Sequence, residues 1–131
     1  MLMGGCFCGA VRYEAGGEPW HGTVCHCSIC RRTTGAPTVA WFTVRTSDFR
    51  VVTGQPSRFR SSAGATRTFC ASCGTALTFQ SDDQPDEIDV TTASLDDPER
   101  VPPQSHTWRA SGLSWAGSED GLPAYPGKRP G

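Results

Sequence analysis

The sequence predicts a mainly β fold in one domain, on three observations. Short runs of β-branched and aromatic residues recur along the chain, most of them closed by glycine or proline. Among 131 residues there are 15 glycines and 10 prolines while the hydrophobic fraction is 37%, so turns are many and the core is modest. Seven cysteines fall as a pair, a triple and a pair: Cys6-x-Cys8, Cys25-x-Cys27-x-x-Cys30 and Cys70-x-x-Cys73. A small core gains from cross-links, and these thiols are their evident source. A chain of this length buries about two thirds of its unfolded surface, enough for one domain.

The elements follow in order. Val11 and Tyr13 alternate with Arg12 and Glu14, predicting a short half-buried strand that leaves Cys8-Gly9. On a strand, positions i and i+2 share a side, so Cys6 and Cys8 are expected to face one metal. Gly16-Gly17-Glu18-Pro19 breaks the element, and Trp20 to Val24 leads into the triple. Ser28 to Thr34 predicts about two helical turns, ended by a left-handed Gly35 and barred from continuing by Pro37. Thr38 to Arg45 is the strongest strand, and its Trp41 and Phe42 read as core rather than as a substrate platform. Phe49 to Thr53 and Ser57 to Ser61 are further strands, separated by Gly54-Gln55-Pro56. Thr66 to Phe69 and Thr75 to Gln80 predict a hairpin whose turn is Cys70-Ala71-Ser72-Cys73-Gly74, with Gly74 at positive φ. Ser81 to Glu87 is a solvated acidic loop, and Ile88 to Thr92 one more strand. From Asp96 a long irregular C-terminal segment is expected, with Trp108, Trp115, Leu122 and Tyr125 as isolated anchors.

A net charge of −1 gives no global field, which argues against a nucleic-acid partner. No stretch approaches the roughly 18 apolar residues of a membrane span, and Met1 to Gly5 shows neither basic nor apolar leader character. The expectation is a cytoplasmic protein with no membrane partner. The sequence carries no oligomer signal. In a reducing compartment, clustered cysteines bind metal more often than they form disulfides, and an odd count would strand one thiol.

Zinc best fits an all-sulfur tetrahedral shell. Two groupings are compatible with the spacing. Cys27 and Cys30 with Cys70 and Cys73 imitate a zinc ribbon, across a longer gap than ribbons use. Alternatively Cys6, Cys8, Cys70 and Cys73 close one site and Cys25, Cys27 and Cys30 form an open one, which uses every thiol. A four-cysteine site is closed and structural, whereas a site with three protein ligands keeps a position for water or substrate.

Gly5-Cys6-Phe7-Cys8-Gly9-Ala10-Val11-Arg12-Tyr13, Cys25-His26-Cys27-Ser28-Ile29-Cys30-Arg31-Arg32 and Cys70-Ala71-Ser72-Cys73-Gly74 together resemble the glutathione-dependent formaldehyde-activating enzyme family. That family shares its domain with centromere protein V. His106, Trp108, Trp115, Asp120-Gly121-Leu122-Pro123 and Tyr125-Pro126 extend the resemblance, giving a domain over about residues 3–126 and a tail at 127–131. The resemblance implies a zinc-binding β-tent fold of antiparallel sheets. It also implies two zinc ions per chain, a structural one on Cys6, Cys8, Cys70 and Cys73 and a second on Cys25, Cys27 and Cys30. The implied activity is that of a carbon–sulfur lyase joining glutathione to formaldehyde as S-(hydroxymethyl)glutathione.

The chemistry is sensible on its own terms. A free thiol near pKa 8.5 is a few per cent thiolate at neutral pH, and coordination favours the deprotonated form. Cys25, Cys27 and Cys30 are therefore the expected catalytic centre, where a glutathione-like thiol meets a small aldehyde. Arg31 and Arg32 are candidate substrate-binding residues for its carboxylates, against the reading that they are a solvated helix face. His26 lies between two ligands and is expected to point away from them in a structural role. Two other readings are a non-enzymatic zinc-binding interaction module and a thiol-based metal sensor.

Overall fold

The computed structural model describes residues 1–116 and 121–130, so Asp120 and Gly131 lie outside the described residues. Among the described residues ten strands are arranged in two sheets around the core. The smaller sheet has the order β1–β2–β5, formed by β1 (Leu2–Gly5), β2 (Arg12–Ala15) and β5 (Phe49–Thr53). The larger, in the order β10–β3–β4–β9–β8–β7–β6, has seven. Its strands are β3 (Trp20–Cys25), β4 (Val39–Arg45), β6 (Ser57–Ser62), β7 (Ala65–Phe69), β8 (Ala76–Ser81), β9 (Glu87–Thr91) and β10 (Ser105–Thr107). The helix α1 spans Ser28–Thr34.

The mainly β expectation holds, with one difference. Every strand pair is antiparallel except β10, which runs parallel to β3 through Ser105↔Thr23 and Thr107↔Cys25. The larger sheet is therefore mixed. From Asp96 onward the described chain consists of 3-10 turns, loops and this short strand, which is held from its far side by His106 N–H on Pro123 O (2.8 Å) and Tyr125 N–H on His106 O (3.1 Å).

Strand alternation sorts β4 into two faces. Phe42 and Val44 enter the main core with Ile88 and Val90 of β9, and Tyr13 and Ala15 of β2 close it from the smaller sheet. Phe42 and Val90 are completely buried, each contributing about 1.5–3 kcal/mol by side-chain burial. Cys6 and Cys70 belong to the same core. Val39 and Trp41 face the other way and pack with Cys25 and Cys30, against Cys27 and Phe79. The two adjacent aromatics thus divide: Phe42 is main core, whereas Trp41 is the floor under the cysteine triple.

That second face continues across the sheet. Arg67, Phe79, Asp89, Thr43 and Trp20 are directly opposed in register over β7, β8, β9, β4 and β3, so they form one row on one side. Cys30 of α1 packs on this face with Cys25, Val39 and Trp41. Gly35 ends the helix at φ 72°, its N–H on Arg31 O at 2.7 Å, a conformation that favours glycine.

Candidate metal centres

The first pair departs from the strand expectation. Cys6 to Ala10 form a turn between β1 and β2, and both cysteines reach one point because the chain folds back there. Cys6 N–H donates to Val11 O (3.0 Å), Gly9 N–H to Cys6 O (3.3 Å), and Val11 N–H to Cys6 Sγ (3.2 Å). The turn between β7 and β8 repeats the pattern: Cys70 N–H donates to Thr75 O (3.0 Å) and Gly74 N–H to Cys70 O (2.8 Å). Gly9 and Gly74 both have φ 83°, as expected for Gly74. Two hairpin turns of one design face each other. Thr75 ties them together, since its Oγ1 accepts from Phe7 N–H (3.1 Å) and lies 3.3 Å from Cys73 Sγ, to which it can donate. This hydroxyl, with the backbone N–H groups of Thr75 and Cys8, pulls the Cys73 thiol down to about 5.

All seven thiols are free, and their sulfurs fall into two sets, Cys6/Cys8/Cys70/Cys73 and Cys25/Cys27/Cys30. Within each set the sulfurs lie within 4.8 Å of one another. Four sulfurs about 2.3 Å from a tetrahedral zinc stand about 3.8 Å apart. The Cys6–Cys8 and Cys8–Cys70 separations are 3.6 and 3.8 Å, so the donors fit such a shell. The ribbon-like grouping of Cys27 and Cys30 with Cys70 and Cys73 is not the one the fold brings together.

The triple is built by the end of β3 and the start of α1. Cys25 is the last residue of β3, Cys27 is the N-cap of α1, and Cys30 lies one turn in. Cys27 Sγ accepts the Cys30 N–H at 3.2 Å, an N-cap bond made by sulfur. Hydrogen bonding with Cys25 and Cys30 holds the Cys27 thiol far below its usual range, while contacts with Cys27 and Cys30 push Cys25 up. Among the described residues no fourth His, Cys, Asp or Glu joins this set. His26 is fully buried and turned aside, its Nε2 3.0 Å from His106 Nδ1 and its backbone N–H on Thr107 O (3.0 Å). It clips the cysteine loop to β10.

Arg31 is half-buried and Arg32 exposed, both in the last turn of α1. The arginine that reaches the sulfurs is Arg67, which sequence reading passed over: its Nη2 is 3.6 Å from Cys30 Sγ. It lies far from Cys30 in sequence, and only the β7 register brings it beneath the triple.

Asp89, in the same row, is a second group that sequence reading missed. It accepts from Thr43 Oγ1 at 2.7 Å, and burial pushes its carboxyl up to about 6 from 3.8. Between those values the folded chain binds the proton more tightly than the unfolded chain. Asp89 therefore stabilises fully below about pH 4, and that contribution is lost as pH rises through about 6. In Asp89→Asn, which keeps the acceptor for Thr43, stability relative to wild type should rise by on the order of 2–3 kcal/mol between pH 4 and 7. Denaturant melts across that range test it; a pH-independent difference would contradict it.

The model of the glutathione-dependent formaldehyde-activating enzymes matches residues 1–111. The chain belongs to that family. A Halomonas elongata relative, provisionally named as a glutathione-dependent formaldehyde-activating enzyme, is 29% identical over 124 residues, spanning 88% of this chain and 79% of its own. A crystal structure of a Rhodobacter sphaeroides protein is 36% identical, with a TM-score of 0.59 over 72% of this chain and 87% of that one. Among the described residues no helix is long and apolar enough to cross a membrane.

Proposed function

We propose that the chain is a two-zinc, carbon–sulfur lyase-type enzyme that joins a glutathione-like thiol to formaldehyde or a related small aldehyde, in the cytoplasm. Cys6, Cys8, Cys70 and Cys73 hold a structural zinc, and Cys25, Cys27 and Cys30 a second one. The observation carrying this reading is the second set itself: three converging sulfurs, no fourth protein ligand among the described residues, and a histidine diverted to a structural bond. Three protein ligands are the catalytic arrangement of zinc, and four sulfurs the structural one.

A zinc ion at the triple supplies a low-pKa position for the substrate thiol and electrophilic assistance to the aldehyde. Cys25, Cys27 and Cys30 orient that position, while Trp41 and Phe79 form its apolar floor. Addition forms the carbon–sulfur bond, and the carbonyl π pair moves to oxygen, which takes up a proton to give the S-hydroxymethyl adduct. Arg31 and Arg32, the two residues after Cys30 in α1, would hold the carboxylates of the thiol.

The test compares protein carrying two zincs with protein stripped of its weaker one by a mild chelator. Adduct formation from glutathione and formaldehyde above the spontaneous rate is expected only with two. Equal rates in both samples would favour the interaction-module or metal-sensor reading.

A further inference from the structure

Arg67 is the one arginine among the described residues that is buried, at 8% exposure. Its guanidinium is placed with care. Nε donates to Ser61 Oγ (3.1 Å), Nη2 faces Cys30 Sγ (3.6 Å), and the guanidinium carbon lies 4.9 Å from the Phe79 ring centroid and 5.7 Å from that of Trp41. The described carboxylates at salt-bridge distance serve Arg12, Arg50 and Arg60, while Arg67 has only the longer-range attraction of Asp89 along the row. Arginine is almost never fully buried unless paired, and a desolvated cation with no counter-charge costs several kcal/mol. Aromatic faces offset only part of that cost. The group Arg67 points at is a sulfur, and a neutral thiol would leave the cation only the longer-range attraction of Asp89.

Charge counting resolves this. Three thiolates around one zinc carry a net −1, and an anionic thiol in the fourth position makes it −2. We propose that Arg67 is the built-in counter-charge of the Cys25/Cys27/Cys30 centre, a positioning residue that neutralises the three-thiolate zinc and lets it accept a thiolate as fourth ligand. The inference rests on the zinc reading of the triple. It deepens that reading by naming an anionic sulfur ligand as the species the site selects. Arg67 acts through Cys30, holding its sulfur in place from the side opposite α1. The aromatic pair and Ser61 fix the guanidinium so that little freedom is lost in forming the contact.

The experiment is competition of the zinc-loaded full chain with a chromophoric chelator, reading the two zincs separately. Loss of such an outer partner weakens metal affinity by about 10- to 100-fold. Arg67→Met should weaken the second zinc by that factor with the first unchanged, and Arg67→Lys should recover most of the loss. Glutathione added to cobalt-loaded protein should shift the thiolate-to-metal absorption of wild type at lower thiol concentration than that of Arg67→Met. Equal second-site affinity in wild type and Arg67→Met would overturn the assignment. If Arg67→Met loses both zincs, Arg67→Gln decides instead, since it removes the charge but keeps a polar side chain that can still pair with Ser61. Selective weakening of the second zinc supports the role, and unchanged affinity overturns it. Failure of the enzyme reading looks different: wild type would bind two zincs, show these Arg67 effects, and still leave the thiol–aldehyde rate at its spontaneous value.

Discussion

Cys70→Ser, or treatment with a strong chelator, should unfold the chain rather than merely inactivate it. Cys70 is 1% exposed and Cys6 7%, and both belong to the main core beside Tyr13, Phe42 and Val90. The four sulfurs join the β1–β2 turn to the β7–β8 turn, which belong to different sheets. Metal binding at a structural zinc site is worth about 10–16 kcal/mol in small peptides, whereas a whole domain is stable by about 5–15 kcal/mol. Losing one ligand also leaves the remaining thiolates crowded in a partly desolvated pocket. Far-UV circular dichroism with zinc counting checks this. A Cys70→Ser chain that melts cooperatively at the wild-type temperature is incompatible with a structural zinc joining the two turns.

Cys27→Ser should behave in the opposite way, keeping the fold and losing the chemistry. Serine is among the best N-cap residues, so its Oγ can take over the Cys30 N–H that Cys27 Sγ accepts. The helix start survives while a thiolate ligand is replaced by a hydroxyl. Zinc should fall from two to one per chain, with an unchanged melting transition and no adduct formation above the spontaneous rate. A one-zinc Cys27→Ser protein that still accelerates the reaction would sink the proposed function.

What the sequence discloses depends on whether the signal is local. β4, β5, the β7–β8 hairpin and α1 with its Gly35 terminator are all legible, because β-branched runs, cysteine spacing and glycine act within a few residues. β1 is not, since two of its four residues are glycines. β3 is obscured by Gly22 and by His21 at φ 56°, where the register with β4 shifts. β10 is three residues long and pairs in parallel with a strand some eighty positions earlier, a contact with no periodic signature. Cys6 and Cys8 show the converse: the spacing suits a strand, yet the hydrogen bonds of Gly9 and Val11 make a turn there. The same logic governs the site. The cysteines announce themselves, and Arg31 and Arg32 attract notice by adjacency. Arg67 is disclosed only by the pairing of β7 with β8.

The parallel contact of β10 also bears on the order of synthesis. All seven cysteines and every other strand of both sheets have been made by residue 91, before Ser105 leaves the ribosome. Until then β3, the strand that ends in Cys25, has an uncovered outer edge, and such an edge is a template for another chain. A nascent or clipped polypeptide ending before β10 would thus expose a sticky strand directly beside its metal-binding loop. The last stretch of the chain is the protein's own cover against that fate.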